Sequence, residues 1–258
     1  MSKGLVPARA TVWGLAVSVV CTTFVVWVVN AIIYAARWDF IALHPERAAR
    51  NPPTISRALA EPKVGEPFAE WMAICAPVLF VGVFLLVWSA FAELRRNGTQ
   101  SVATVRWFGR MSAVLLTLQA LASVGMILLS HYRFPDHHFG HMAGSYLFFF
   151  SQAFVVFVGQ VISNAYGKLP AEGRVMLPQM ARFRRIYVWV PICLAVLYLG
   201  CFVLKDVDLG PVNRPLFMVY VSTEPMLLSS FLFYVLSFAP DCLVNIVRYR
   251  RQSGSVVS

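Results

Sequence analysis

One acidic residue, Glu224, lies inside an apolar stretch that covers about residues 216–240. An ionised carboxylate is costly to keep in apolar surroundings, so such a group pairs with a polar partner, takes up a proton or faces a water-filled cavity. A hydrogen bond to a neighbouring helix would meet the same requirement and fix the fold. We therefore predict a polar site at Glu224, with a functional and a structural role both open.

Four histidines, His131, His137, His138 and His141, follow one another closely. Imidazole binds divalent metals and titrates near neutral pH, so the first three form a candidate histidine cluster. Their spacing fits no metal motif, and a pair of haems would need histidines on facing helices. We therefore predict no metal and no cofactor. His141 opens another apolar stretch and is our candidate partner for Glu224.

Recognised catalytic motifs are missing from the sequence, which contains no P-loop, no GxSxG turn and no HExxH zinc motif. Ser145, His141 and an acid make a nominal hydrolase triad, but a triad is recognised by geometry that spacing alone does not supply. The sequence therefore favours a protein that is not an enzyme.

Arginines stand beside aromatic residues near the ends of two apolar stretches. Arg106 is one of them, and Arg182, Arg184 and Arg185 form a second group. Such residues are candidate contacts for the headgroups of anionic lipids, and the same pattern also arises from signals that orient a protein in a membrane.

Six long apolar blocks account for most of the chain. Apolar residues make up 59% of the sequence and charged residues only 13%. A membrane span needs roughly 20 apolar residues to cross a hydrocarbon layer about 30 Å thick. We therefore predict an all-α membrane bundle of six transmembrane helices, at about 12–35, 70–92, 110–131, 141–165, 186–204 and 216–240.

Charge is distributed unevenly between the two ends of this bundle. The net charge is +10, and Lys and Arg are concentrated near both termini and in the connections 93–109 and 166–185. Short basic segments stay in the cytoplasm during insertion, so both termini are predicted to be cytoplasmic. This pattern disfavours nucleic-acid binding. It is compatible with the plasma membrane and with an internal membrane.

The longest segment outside the predicted spans is the first outside loop, about 36–69. It combines prolines with aromatic and aliphatic residues, so we expect a partly ordered cap on the bundle. The predicted organisation is a six-helix membrane domain over 1–247, followed by a cytoplasmic tail over 248–258.

Four short motifs lie at matching places relative to the predicted helices. They are Pro53-Thr54-Ile55-Ser56, Glu66-Pro67-Phe68, His141-x-x-Gly144 and Ser222-Thr223-Glu224. In their order and placement the chain resembles the six-helix family of the damage-regulated autophagy modulators (DRAM), the suppressor-of-four-kinase (Sfk) proteins and the FGF-receptor-activating (Frag) proteins. Arg57 departs from the family pattern, in which an acidic residue is common after the serine.

The resemblance implies a membrane protein associated with lipid organisation, trafficking, autophagy or remodelling of lipid anchors, and it carries over no active site. We expect a lipid-associated protein that organises or regulates membrane lipids or a membrane-protein partner. Membrane lipids, anionic phospholipids among them, are the expected partners. The alternative is a lipid-remodelling enzyme or transporter that uses a polar site of Glu224 and His141.

Overall fold

The computed structural model describes residues 7–170 and 175–254, with side chains as far as Arg251. These residues form helices and no strand. The helices are α1 (Arg9–Leu43), α2 (Pro45–Arg50), α3 (Ile55–Leu59), α4 (Pro62–Arg96), α5 (Val102–His131), α6 (His138–Gly167), α7 (Pro178–Tyr187), α8 (Trp189–Leu204), α9 (Asn213–Leu236) and α10 (Ala239–Gly254).

Six segments are long and apolar enough to cross a membrane. Helices α1, α4, α5 and α6 each form one span, α7 and α8 together form the fifth, and α9 and α10 together form the sixth. The prediction of an all-α, multi-pass membrane bundle with six spans is therefore confirmed. Its orientation, with both termini in the cytoplasm, stays a prediction.

Helices α1, α4, α5 and α6 are longer than the predicted apolar blocks. At about 1.5 Å per residue, a helix of 35 residues such as α1 or α4 is roughly 50 Å long, which exceeds the hydrocarbon thickness of about 30 Å. The loop predicted over 36–69 is therefore shorter: α1 continues to Leu43 and α4 begins at Pro62. Pro67 lies inside α4, where a proline near the helix start removes few backbone hydrogen bonds.

The segment between α1 and α4 folds as a cap over one end of the bundle, which we call the cap end. The connections between α5 and α6 and between α8 and α9 also lie at this end. Within the cap, α3 buries Ile55, Ala58 and Leu59 and packs against α1, α4 and α9. The Thr54 side chain starts α3 by accepting a hydrogen bond from the backbone N–H of Arg57 at 3.1 Å.

Helices α5 and α6 cross at very short distance. A Cβ atom on Gly144 would lie 2.5 Å from the backbone nitrogen of Leu129, and one on Gly125 would lie 2.5 Å from the nitrogen of Phe148. Small residues permit this approach in a membrane, where lipid gives little hydrophobic drive for helix association. The close crossing brings the end of α5 beside the start of α6, where His141 lies.

The opposite end carries the predicted tail. Residues 248–254 of that tail continue α10, while 255–258, like residues 1–6 of the predicted membrane domain, lie outside the described part of the chain.

Candidate functional site

Glu224 is buried in α9 and contacts the cap. Its Oε2 accepts a hydrogen bond of 2.7 Å from the backbone N–H of Ile55, and its Oε1 lies 3.5 Å from the hydroxyl of Ser56. The side chain of Glu224 is only 3% exposed. The first turn of α3 therefore supplies the polar partners that a carboxylate needs inside an apolar helix.

His141 reaches the same serine from α6. Its Nε2 lies 3.0 Å from Ser56 Oγ, while its Nδ1 lies 2.9 Å from the carbonyl oxygens of both Leu129 and Tyr132. A carbonyl oxygen only accepts hydrogen bonds, so Nδ1 must carry a proton. In the neutral imidazole, Nε2 is then the acceptor and faces the serine hydroxyl.

Ser56 consequently connects Glu224 to His141, and the two do not touch directly. A hydroxyl both donates and accepts, so the three side chains form one chain of hydrogen bonds in either charge state. An imidazolium donates to Ser56, which donates to the carboxylate. With a neutral imidazole and a protonated carboxyl, both hydrogen bonds reverse direction. We call these three residues the polar triplet.

A partly open cleft of about 1000 Å³ begins at the polar triplet and extends between α6, α8 and α9. His141 and Ser56 line the cleft, whereas Glu224 lies behind them beside a much smaller void of about 40 Å³. The cleft therefore gives the serine and the imidazole, but not the carboxylate, direct access to a ligand.

The wall of the cleft changes character along its length. At the cap end it combines the apolar Phe40, Phe134 and Pro135 with the polar and charged Arg47, Thr54, Arg57, Glu61, His138, Lys205 and Asp206. Farther along α6, α8 and α9 it is apolar, with Phe149, Phe150, Ala153, Val196, Leu199, Leu227 and Phe231. This arrangement is that of an amphiphile, with a polar head and an apolar body.

The other histidines make separate contacts. His131 is exposed, and its Nδ1 lies 2.9 Å from the carbonyl oxygen of Ile127. His137 packs edge-on against Tyr132, and His138 packs against Phe134. In the described part of the chain, no three His, Cys, Asp or Glu residues are arranged to hold a metal.

Arg184 does not lie where a lipid contact requires it. Its side chain is fully buried, its Nη1 lies 2.6 Å from Asp241 Oδ2, and its guanidinium stacks on the Phe238 ring at 4.0 Å. The expectation that Arg184 contacts lipid headgroups is therefore wrong, because α7 turns this residue toward α10. Arg106, Arg182 and Arg185 are exposed, and lipid contact at these three stays a prediction.

A family model described as the Frag1/DRAM/Sfk1/Cwh43P N-terminal domain matches residues 11–242. The chain belongs to this family. The match covers the cap, four whole spans and most of the first and the sixth, and it agrees with the resemblance indicated by the sequence motifs. Comparison with curated proteins and with solved structures gives no match.

The structure brings together residues from three of the four Frag1/DRAM/Sfk1 motifs. The segment Pro53–Ser56 supplies the serine and a backbone N–H, α6 supplies His141, and α9 supplies Glu224. Sequence reasoning proposed a direct pair of His141 and Glu224 and a nominal triad with Ser145. Sequence reasoning did not predict the contacts of Ser56 with His141 and Glu224, because these partners are far away in the sequence.

Proposed function

We propose that this protein binds a membrane lipid in the cleft between α6, α8 and α9, and that it organises or regulates membrane lipids through this binding. The observation that carries the proposal is the gradient of the cleft wall, from charged residues at the cap end to aromatic and aliphatic residues within the spans. A lipid that lies in a membrane has the same gradient along its length.

The length of the cleft matches the depth of the acyl chains in one leaflet of a bilayer. Beyond His138 and His141, the lining along α6 runs from Met142 to Ala153, a rise of roughly 16 Å at about 1.5 Å per residue. This length is about half of the hydrocarbon thickness of about 30 Å, which is the depth of one leaflet. A volume of about 1000 Å³ lies at the upper end of the range of roughly 300–1,000 Å³ typical of ligand pockets.

Helix α8 provides a side through which lipid could enter. It packs mainly on α9, and within this helix only Pro191 and Cys201 are buried. Val196 and Leu199 line the cleft although they are 69% and 47% exposed. A weakly packed wall of this kind supports exchange of the ligand with the surrounding bilayer.

The proposal can be tested by filling the cleft. Ala153→Trp should displace most of the lipid that copurifies with the protein, because the indole occupies the apolar part of the cleft. Native mass spectrometry of protein extracted in mild detergent measures the bound lipid. Phe154→Trp is the matched control, because Phe154 is an exposed neighbour that lies outside the lining. Equal lipid retention by both variants would contradict the proposal.

A second candidate function is ester cleavage, and the contact of Ser56 with His141 Nε2 favours it. In this reaction Ser56 Oγ attacks the carbonyl carbon of a lipid ester while its proton passes to Nε2. The intermediate then expels the alcohol, which takes that proton. Water hydrolyses the acyl-serine with His141 again as the base, so the enzyme is regenerated.

Active serine nucleophiles react with fluorophosphonate probes, so this function predicts a covalent adduct on Ser56 that peptide mass spectrometry can locate. His141→Gln should abolish the adduct, since the serine then lacks its base. Ser145→Ala should not affect it, although Ser145 lines the same cleft. If the protein retains lipid but Ser56 remains unlabelled, ester cleavage by Ser56 is excluded and the proposed lipid binding stands.

A further inference from the structure

We propose that Arg47 and Arg57 form a binding site for the phosphate of a lipid headgroup at the cap end of the cleft. This inference rests on the proposed lipid binding and specifies the chemical class of the lipid. Both arginines line the cleft, and they lie on the two short helices of the cap.

The charge balance around the two arginines indicates an anionic ligand. The acidic residues that line the cleft already have partners: Glu61 lies 3.0 Å from the imidazole of His44, and Asp206 pairs with Lys205. Neither Arg47 nor Arg57 has an ion pair with an acidic residue in the described part of the chain. The charged residues that line the polar end are therefore three basic ones, Arg47, Arg57 and Lys205, against two acidic ones, Glu61 and Asp206.

The surroundings of Arg57 disfavour its positive charge. Partial burial and then the positive charge of Arg47 lower the pKa of the Arg57 guanidinium. Both effects disfavour the charged form, and a phosphate between the two arginines would compensate for both. Arginine is suited to this role, because its planar guanidinium binds phosphate through two parallel hydrogen bonds.

The cap restrains the Arg47 guanidinium and the helix that carries Arg57 before a ligand arrives. The Arg47 guanidinium lies over the Phe40 ring at 5.9 Å, and Arg57 belongs to α3, whose start is fixed by the Thr54 side chain and the contact of Ile55 with Glu224. Preorganised groups lose less conformational entropy on binding. The polar triplet therefore helps to position one side of the phosphate site.

Two lipids that differ only in the phosphate provide the test. The full-length protein in detergent is titrated with dioleoyl phosphatidic acid and with dioleoylglycerol, and binding is measured by native mass spectrometry. We expect phosphatidic acid to bind roughly tenfold or more tightly than dioleoylglycerol, since charge-assisted hydrogen bonds contribute on this scale. The double variant Arg47→Gln/Arg57→Gln should lose this preference. Arg50→Gln should keep it, because Arg50 lies on α2 beside Arg47 but outside the lining.

The outcomes separate this inference from the proposed function. Equal binding of the two lipids by the unmodified protein would overturn the phosphate site and leave lipid binding intact, whereas binding of neither would overturn lipid binding itself. If Arg50→Gln also loses the preference for phosphatidic acid, that preference comes from the general positive charge of the surface, and the specific site is overturned. The melting temperature is also measured with inorganic phosphate alone. If inorganic phosphate raises it as much as phosphatidic acid does, the site binds a soluble anion and the lipid assignment is overturned.

Discussion

Asp241→Leu is expected to cause the largest loss of stability, because it leaves the fully buried charge of Arg184 without its partner. The Arg184 guanidinium donates to Asp241, to the carbonyl oxygen of Ser237 and to the hydroxyl of Ser163. Removal of one partner from a buried ion pair typically costs about 3–5 kcal/mol. Thermal unfolding in detergent measures the effect as a large fall in melting temperature.

The double variant separates the ion pair from the rest of the packing. Arg184→Leu/Asp241→Leu should recover much of the loss, because replacement of both charges by apolar groups leaves neither one unpaired. Arg185→Leu serves as the control, since Arg185 is the exposed neighbour of Arg184 on α7. A double variant as unstable as Asp241→Leu would contradict the role of the ion pair.

Glu224→Leu is expected to have the second largest effect. It removes the acceptor for the buried backbone N–H of Ile55, and a buried donor left without a partner costs about 1–3 kcal/mol, whereas the Ser56 hydroxyl keeps His141 Nε2 as a partner. The start of α3 should then separate from α9. We expect a lower melting temperature and faster hydrogen exchange in the segment 54–59, measured by mass spectrometry.

Glu224→Gln is the matched comparison. The glutamine carbonyl still accepts from Ile55, and its amide can donate to Ser56, so most of the stability should return. Lipid retention should also persist in this variant, because Glu224 does not line the large cleft. An equal loss of stability in the Gln and Leu variants would show that the hydrogen bonds to α3 are not what stabilises the cap.

The six spans could be predicted from the sequence because an apolar run of sufficient length has few alternatives to crossing a membrane. The ends of α1 and α4 could not. Beyond the hydrocarbon region their residues are mixed in polarity, and there α2 and α3 pack against α1 while α3 packs against α4. Hydropathy records the preference for lipid and contains no information on these contacts.

The polar site illustrates the same limit. The cost of a carboxylate in an apolar helix predicted that Glu224 has a partner, but one of its two partners is the backbone N–H of Ile55, which has no sequence signature. Ser56 has no distinguishing feature in the sequence, and only the fold of α3 places it between His141 and Glu224. The cleft was not predictable, since it requires the relative placement of three helices.

Arg184 was misjudged for a related reason. Its sequence context is the same as that of Arg182 and Arg185, which are exposed. The face of α7 that turns inward depends on where α10 places Asp241. An acidic residue near the end of the last apolar stretch was the signal that could have indicated a buried partner.

A structure of the protein in lipid nanodiscs, determined by electron cryomicroscopy, tests lipid binding most directly. Our proposal predicts continuous density between α6 and α8, with a chain along Phe150 and Ala153 and a headgroup close to Arg47 and Arg57. A cleft closed by packing of α8 onto α6, with no density in it, would contradict the proposal.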